Sequence, residues 1–177
     1  MHKRITVLLA LLLASTLLAV AQKDKSNRPS PAARAQCRLA DGKTITIDYS
    51  SPRAKGRKIF GGLVPYGEVW RTGANEAATF VTDANLSVGG KDVPAGSYTI
   101  FTIPAQDKWT LIVNKKTGEW GIPYKYEADE LGRADMKVSS TSSPVEDFTI
   151  SLTPMGNGCT LTMSWENTQA SVDISER

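Results

Sequence analysis

Residues 148–165 read FTISLTPMGNGCTLTMSW, and this stretch decides the fold. Apolar and polar side chains alternate on both sides of a Met155-Gly156-Asn157-Gly158 centre. In its second half Cys159, Leu161, Met163 and Trp165 fall on one face of an extended chain. The glycine-rich centre is a turn, so the whole predicts a hairpin of two half-buried strands.

The same pattern continues outward. Residues 35–39 and 44–49 flank Asp41-Gly42, a second hairpin signal, with Ile45, Ile47 and Tyr49 on one face. Residues 77–82 and 86–88 precede a Gly89-Gly90 turn. Residues 98–103, 109–113, 136–138 and 172–174 complete the predicted strands, with Trp109 and Trp165 as core. No segment keeps a helical period over a dozen residues, and residues 127–133 allow one helical turn at most. Residues 139–143, rich in serine, predict a short loop. Many short strands with closely spaced turns predict an all-β domain, an antiparallel β-sandwich of jelly-roll or immunoglobulin type with undetermined strand order. It is expected over residues 35–177, without internal repeat.

The N-terminus reads as a targeting signal. His2, Lys3 and Arg4 precede an apolar run over residues 5–20, and Ala19-Val20-Ala21 offers the small-x-small pattern of a cleavage site. The run is shorter than the roughly 20 residues of a membrane span. Residues 1–21 are thus a predicted signal peptide, and the polar, proline-bearing residues 22–34 a flexible lead-in. The expected location is periplasmic or extracellular, with no membrane span after cleavage.

Cleavage changes the chemistry available. Without Lys3 and Arg4 the Lys+Arg count falls from 21 to 19 against 18 Asp+Glu, so net charge falls from +3 to +1. A near-neutral chain argues against a nucleic-acid partner. The single histidine leaves with the signal, which excludes Ser-His-Asp and Cys-His catalysis and the usual histidine metal sites. No metal site or cofactor is expected. Cys37 and Cys159 remain; each shares strand parity with core-like residues, and an oxidising compartment favours a disulfide between them. Two buried free thiols are the alternative.

One stretch breaks the alternation. Residues 62–77, GLVPYGEVWRTGANEA, bring Tyr66, Trp70, Arg71, Asn75 and Glu76 together. Arg53, Lys55, Arg57, Lys58 and Arg71 fall between positions 53 and 71 with Glu68 as the one acid. Such a cluster is either a solvated loop or a surface for an anionic ligand. Guanidinium, amide and carboxylate beside flat aromatic faces suit a polar ligand such as a sugar. A second irregular stretch, TGEWGIPYKYEADE, carries Trp120. If it folds against residues 62–77, the two enclose an aromatic-walled cleft. The ligand-binding candidates are therefore Arg57, Tyr66, Trp70, Arg71, Asn75, Glu76 and Trp120. Glu68 and Glu76 are weaker candidates for a catalytic carboxylate pair.

The strings GRKIFGGLVPYGEVWRTGANEA, VPAGSYTIFTIP, DKWTLIVNK and EWG, in that order, resemble the domain of unknown function 2911 family of exported bacterial proteins. The resemblance spans residues 35–165 and implies an exported, β-rich domain without assigned activity. Arg57, Trp70, Arg71, Gly73, Asn75, Glu76 and Trp120 belong to the shared pattern, which gives them no role.

Three functions remain open from sequence. The first is an exported, non-enzymatic binding module for a glycan, an anionic small ligand or a cell-envelope component. The second is a carboxylate-based glycoside hydrolase. The third is a structural or interaction protein whose irregular stretch only plugs one end of the sheet.

Overall fold

The computed structural model of the protein describes residues 27–177. The predicted signal peptide and the first part of the lead-in lie outside the described residues. β1 (Ala32–Arg38) and β2 (Thr44–Ser50) form the hairpin around Asp41-Gly42, with Cys37 opposite Ile45 and Ala35 opposite Ile47. Gly42 takes the left-handed φ of 93° that this turn requires. β3 (Ala78–Thr82) pairs with β2 and with β6 (Gly96–Ile103). β6 pairs with β7 (Lys108–Asn114), β7 with β8 (Glu130–Met155), and β8 with β9 (Gly158–Glu176). The end of β9 pairs with β4 (Leu86–Val88), which turns at Gly89-Gly90 into β5 (Lys91–Val93). Apart from a 3-10 turn at Glu127–Asp129, regular structure among the described residues is β.

The antiparallel all-β class agrees with the alternation in the sequence. The expected two sheets are replaced by one: pairing runs unbroken through nine strands in the order β1-β2-β3-β6-β7-β8-β9-β4-β5. The β8–β9 hairpin explains how. Its register shifts twice, between Ser140 and Val145 and between Val145 and Thr149, and such irregularities bend a ladder. Before the shifts β8 pairs with β7. Within the second shift it meets the segment that follows β2, where Ala54 N–H donates to Glu146 O and Phe148 N–H to Pro52 O, both at 2.8 Å.

Two boundaries depart from the sequence reading. Residues 139–143 are strand instead of loop: Ser139 lies opposite Gln169, Ser140 opposite Thr168, and Thr141 Oγ1 donates to Glu166 O at 3.2 Å. Polar side chains occupy both faces there, so alternation carries no signal. The lead-in also ends early, because β1 begins at Ala32. Arg34 sits opposite Asp48 and binds its carboxylate through Nε and Nη2 at 2.6 and 2.9 Å.

One apolar core lies inside the coiled sheet. Ile45, Ile47, Phe80, Ile100, Leu161 and Met163 are among its buried members, each worth roughly 1.5–3 kcal/mol of transfer free energy. Trp109 and Trp165, predicted as core, are each 1% exposed. Cys37 of β1 and Cys159 of β9 form a disulfide across the core, with Cα atoms 6.6 Å apart. A second, smaller cluster of Ala77, Phe101 and Ile112 sits on the outer face of β6 and β7. Ile100 and Phe101 are adjacent and both fully buried, so β6 is covered on both faces. Its outer cover is the Trp120 stretch.

Candidate functional site

Residues 51–77 cross the gap between β2 and β3 without a named strand, held by backbone bonds to Pro31, Glu146, Pro104, Thr102 and Glu119 and by buried Ile59, Phe60 and Val64. Trp70 and Thr102 form one antiparallel bridge, with N···O distances of 2.7 and 3.0 Å. The Trp70 indole N–H donates to Gly73 O at 3.1 Å. Gly73 has a φ of 140°, and a Cβ there would come within 2.8 Å of Ser50 O, so this bend accepts only glycine. Asn75 holds a left-handed φ of 60°, and its amide donates to Ser50 Oγ at 3.0 Å and to Ser30 O at 3.2 Å. Arg28 grips the Glu76 carboxylate through both of its terminal nitrogens, at 2.6 and 3.1 Å. Asn75 and Glu76 therefore tie the chain before β1 onto this stretch.

The half-buried Trp70 ring stacks on Trp165 with centroids 5.9 Å apart and planes at 18°. Edge contacts to Phe148 and Phe60, at 4.8 and 6.1 Å, complete its aromatic surround. One side of Trp70 thus belongs to the core.

The second irregular stretch folds against the first. Gly121 is buried at a φ of 93°, where a Cβ would come within 2.9 Å of Ala77 Cβ and 3.1 Å of Arg71 Cβ. Only a glycine lets the two stretches approach so closely. Tyr124 and Tyr126 pack on Phe101, at 4.8 and 5.9 Å between centroids. The Tyr124 hydroxyl donates to Glu130 Oε1 at 2.7 Å and accepts from Asn114 Nδ2 at 3.2 Å. Burial and the neighbouring Glu130 carboxylate raise the Tyr124 pKa, so the phenol stays neutral. Arg133 in turn holds the Glu130 carboxyl below its ordinary range through a bidentate contact at 2.7 and 2.8 Å.

Between the two stretches lies a cleft of about 730 Å³. Arg57, Glu68, Trp70 and Arg71 line it from one side, and Ile122 and Tyr124 from the other. The Arg71 guanidinium lies over the Trp120 ring, 4.9 Å from its centroid, and reaches Trp120 O at 3.5 Å. Arg71 makes no ion pair among the described residues. Burial lowers its pKa, partly offset by Glu76, and a guanidinium stays charged all the same. Arg57 spends Nε and Nη2 on Ala54 O and Arg53 O, at 2.9 and 2.6 Å. Arg53 pairs with Asp147 at 2.7 Å.

The structure thus divides the residues singled out in the sequence. Arg57, Trp70 and Arg71 meet at the cleft, with Glu68 on the same wall. Trp120 is 54% exposed and stands beside the cleft as the platform for Arg71. Tyr66 lies at a different, more polar hollow of about 320 Å³ with Gln106, Ser139 and Asn167. Asn75 and Glu76 do not line the cleft, so Glu68 and Glu76 do not face one another across it. Leu63 and Ile122 were not legible as cleft residues, yet both line it and are 48% and 44% exposed. Large apolar side chains inside irregular, glycine-rich stretches are the signal that finds them. No group of three His, Cys, Asp or Glu that could hold a metal ion occurs among the described residues.

Known proteins bear on the chain in one way. No curated protein and no solved structure matches it. A family model described as protein of unknown function (DUF2911) matches residues 30–174, which include every strand but the outermost residues of β9 and both stretches that enclose the cleft. The chain belongs to the DUF2911 family.

Proposed function

We propose that the protein is an exported binding module that takes a small ligand, a glycan or an anionic molecule, in the cleft between residues 62–77 and the Trp120 stretch. One observation carries this reading: two irregular stretches of an otherwise regular sheet pack together and leave Trp70 and Arg71 lining an open cleft. The size of the cleft falls within the roughly 300–1,000 Å³ of small-molecule sites. Trp70 is braced by its ring neighbours and Arg71 by Trp120, so neither needs to be ordered on binding. A role as binder and not enzyme is supported by the absence of histidine from residues 22–177 and by Glu76, which Arg28 holds and which does not line the cleft with Glu68. Export is supported by the N-terminal pattern and by the Cys37–Cys159 disulfide. No described helix is long and apolar enough to cross a membrane.

The test is an array of glycans and cell-wall fragments together with small organic anions, probed with wild type and Arg71→Ala. Wild type is expected to retain at least one ligand. Arg71→Ala is expected to bind it about tenfold or more weakly, the usual loss of a charge-assisted hydrogen bond, with an unchanged melting temperature. An empty wild-type array, or equal binding by a folded variant, counts against the reading. For export, the intact mass of protein recovered outside the cytoplasm is expected to start at Gln22. A mass that retains residues 1–21 would refute cleavage.

A further inference from the structure

Resting on that binding reading, we infer that the cleft selects an amphipathic anion, an alkyl or aryl carboxylate with an apolar body, over a neutral saccharide. The walls supply the first argument. Leu63, Val64, Pro65, Val69, Ile122 and Pro123 line the cleft around the Trp70 ring. A saccharide needs polar partners for many hydroxyl groups, and these side chains offer none. Tyr124 also lines the cleft, and its hydroxyl already has partners in Glu130 and Asn114. Apolar walls with few polar groups suit a ligand whose body is apolar and whose orientation one or two groups fix.

Charge supplies the second argument. The lining holds Arg57 and Arg71 as cations and Glu68 and Glu127 as acids. The two acids are exposed, so water solvates them. Arg71 is half-buried, stacked on Trp120, and without a carboxylate partner among the described residues. Its burial removes hydration that the charge of Glu76, itself gripped by Arg28, restores only in part. A bound carboxylate would accept from the guanidinium fork and restore it, which a hydroxyl does only weakly. The ring behind Arg71 limits its freedom, so the fork is held ready for a planar anion.

The experiment titrates the protein by isothermal calorimetry with sodium decanoate, 1-decanol and chitohexaose, following tryptophan emission in parallel. Decanoate is expected to bind about tenfold or more tightly than 1-decanol, and chitohexaose not to bind at comparable concentration. In Arg71→Gln the preference for decanoate over 1-decanol is expected to fall toward one. The wild-type comparison decides the matter even if that variant fails to fold. Equal affinity for decanoate and 1-decanol overturns the inference. Binding of chitohexaose without decanoate overturns it while leaving the binding module intact. Failure of all three probes overturns it too, and the broader array then reports separately on the module.

Discussion

Replacing Cys37 and Cys159 together by alanine is expected to lower the free energy of unfolding by about 5 kcal/mol. The bridge joins positions 122 residues apart, and a cross-link of that span removes about this much loop-closure entropy from the unfolded chain. Both cysteines are buried, at 3% and 0% exposure, so the alanines also lose a little packing. A typical domain is stable by only about 5–15 kcal/mol, which makes this one bond decide whether much of the population stays folded. The measurement is equilibrium denaturation in guanidinium chloride of the oxidised protein and the double variant. The variant should unfold at a lower midpoint and with a steeper dependence, because its unfolded chain exposes more surface. A loss below about 1 kcal/mol would mean that the bridge does not constrain the unfolded ensemble.

Trp70→Ala is expected to cost about 3 kcal/mol, at the low end for large-to-small changes in a core. Trp70 is half-buried, and one side of its ring packs on Trp165, Phe148 and Phe60 while the other lines the cleft. Truncation opens a void beside buried Trp165 and removes the donor to Gly73 O. Trp70→Phe keeps much of the apolar contact and is expected to cost less than half as much. Chemical denaturation of both variants checks the order. A cost under about 1 kcal/mol for alanine would place the ring outside the core. The expected result means that the cleft wall and the core are one packed body, which is how a site is held rigid without a ligand.

Alternation made most of the strands legible, because one face of each packs inward and a shift of one residue would reverse it. The parity of Cys37 with Leu39 and of Cys159 with Leu161 placed both sulfurs inward for the same reason, and the structure joins them. What escaped the pattern depends on distant partners. Asn75 and Glu76 look like ligand contacts beside Trp70, yet Ser30, Ser50 and Arg28 hold them, up to 48 residues away in the chain. Residues 139–143 continue β8 because β9 pairs with them, while their own side chains are polar on both faces. The single sheet follows from register shifts in β8 and β9, which leave no mark on composition. At the cleft, Trp70 and Arg71 stood out by type, whereas Leu63 and Ile122 gained meaning only when two separated stretches met.

The coiled sheet closes where the segment after β2 meets the middle of β8, and Arg53 and Asp147 at that seam are 94 positions apart. A polypeptide emerging N-terminus first therefore adds most strands to a neighbour already made, but makes this closing contact only after residue 147 has appeared. Contacts of such sequence separation fold slowly, because their ordering cost comes before any gain. The enclosed core forms only once β9 has arrived, so truncation from the C-terminus would leave a collapsed chain with open strand edges and not a smaller native domain.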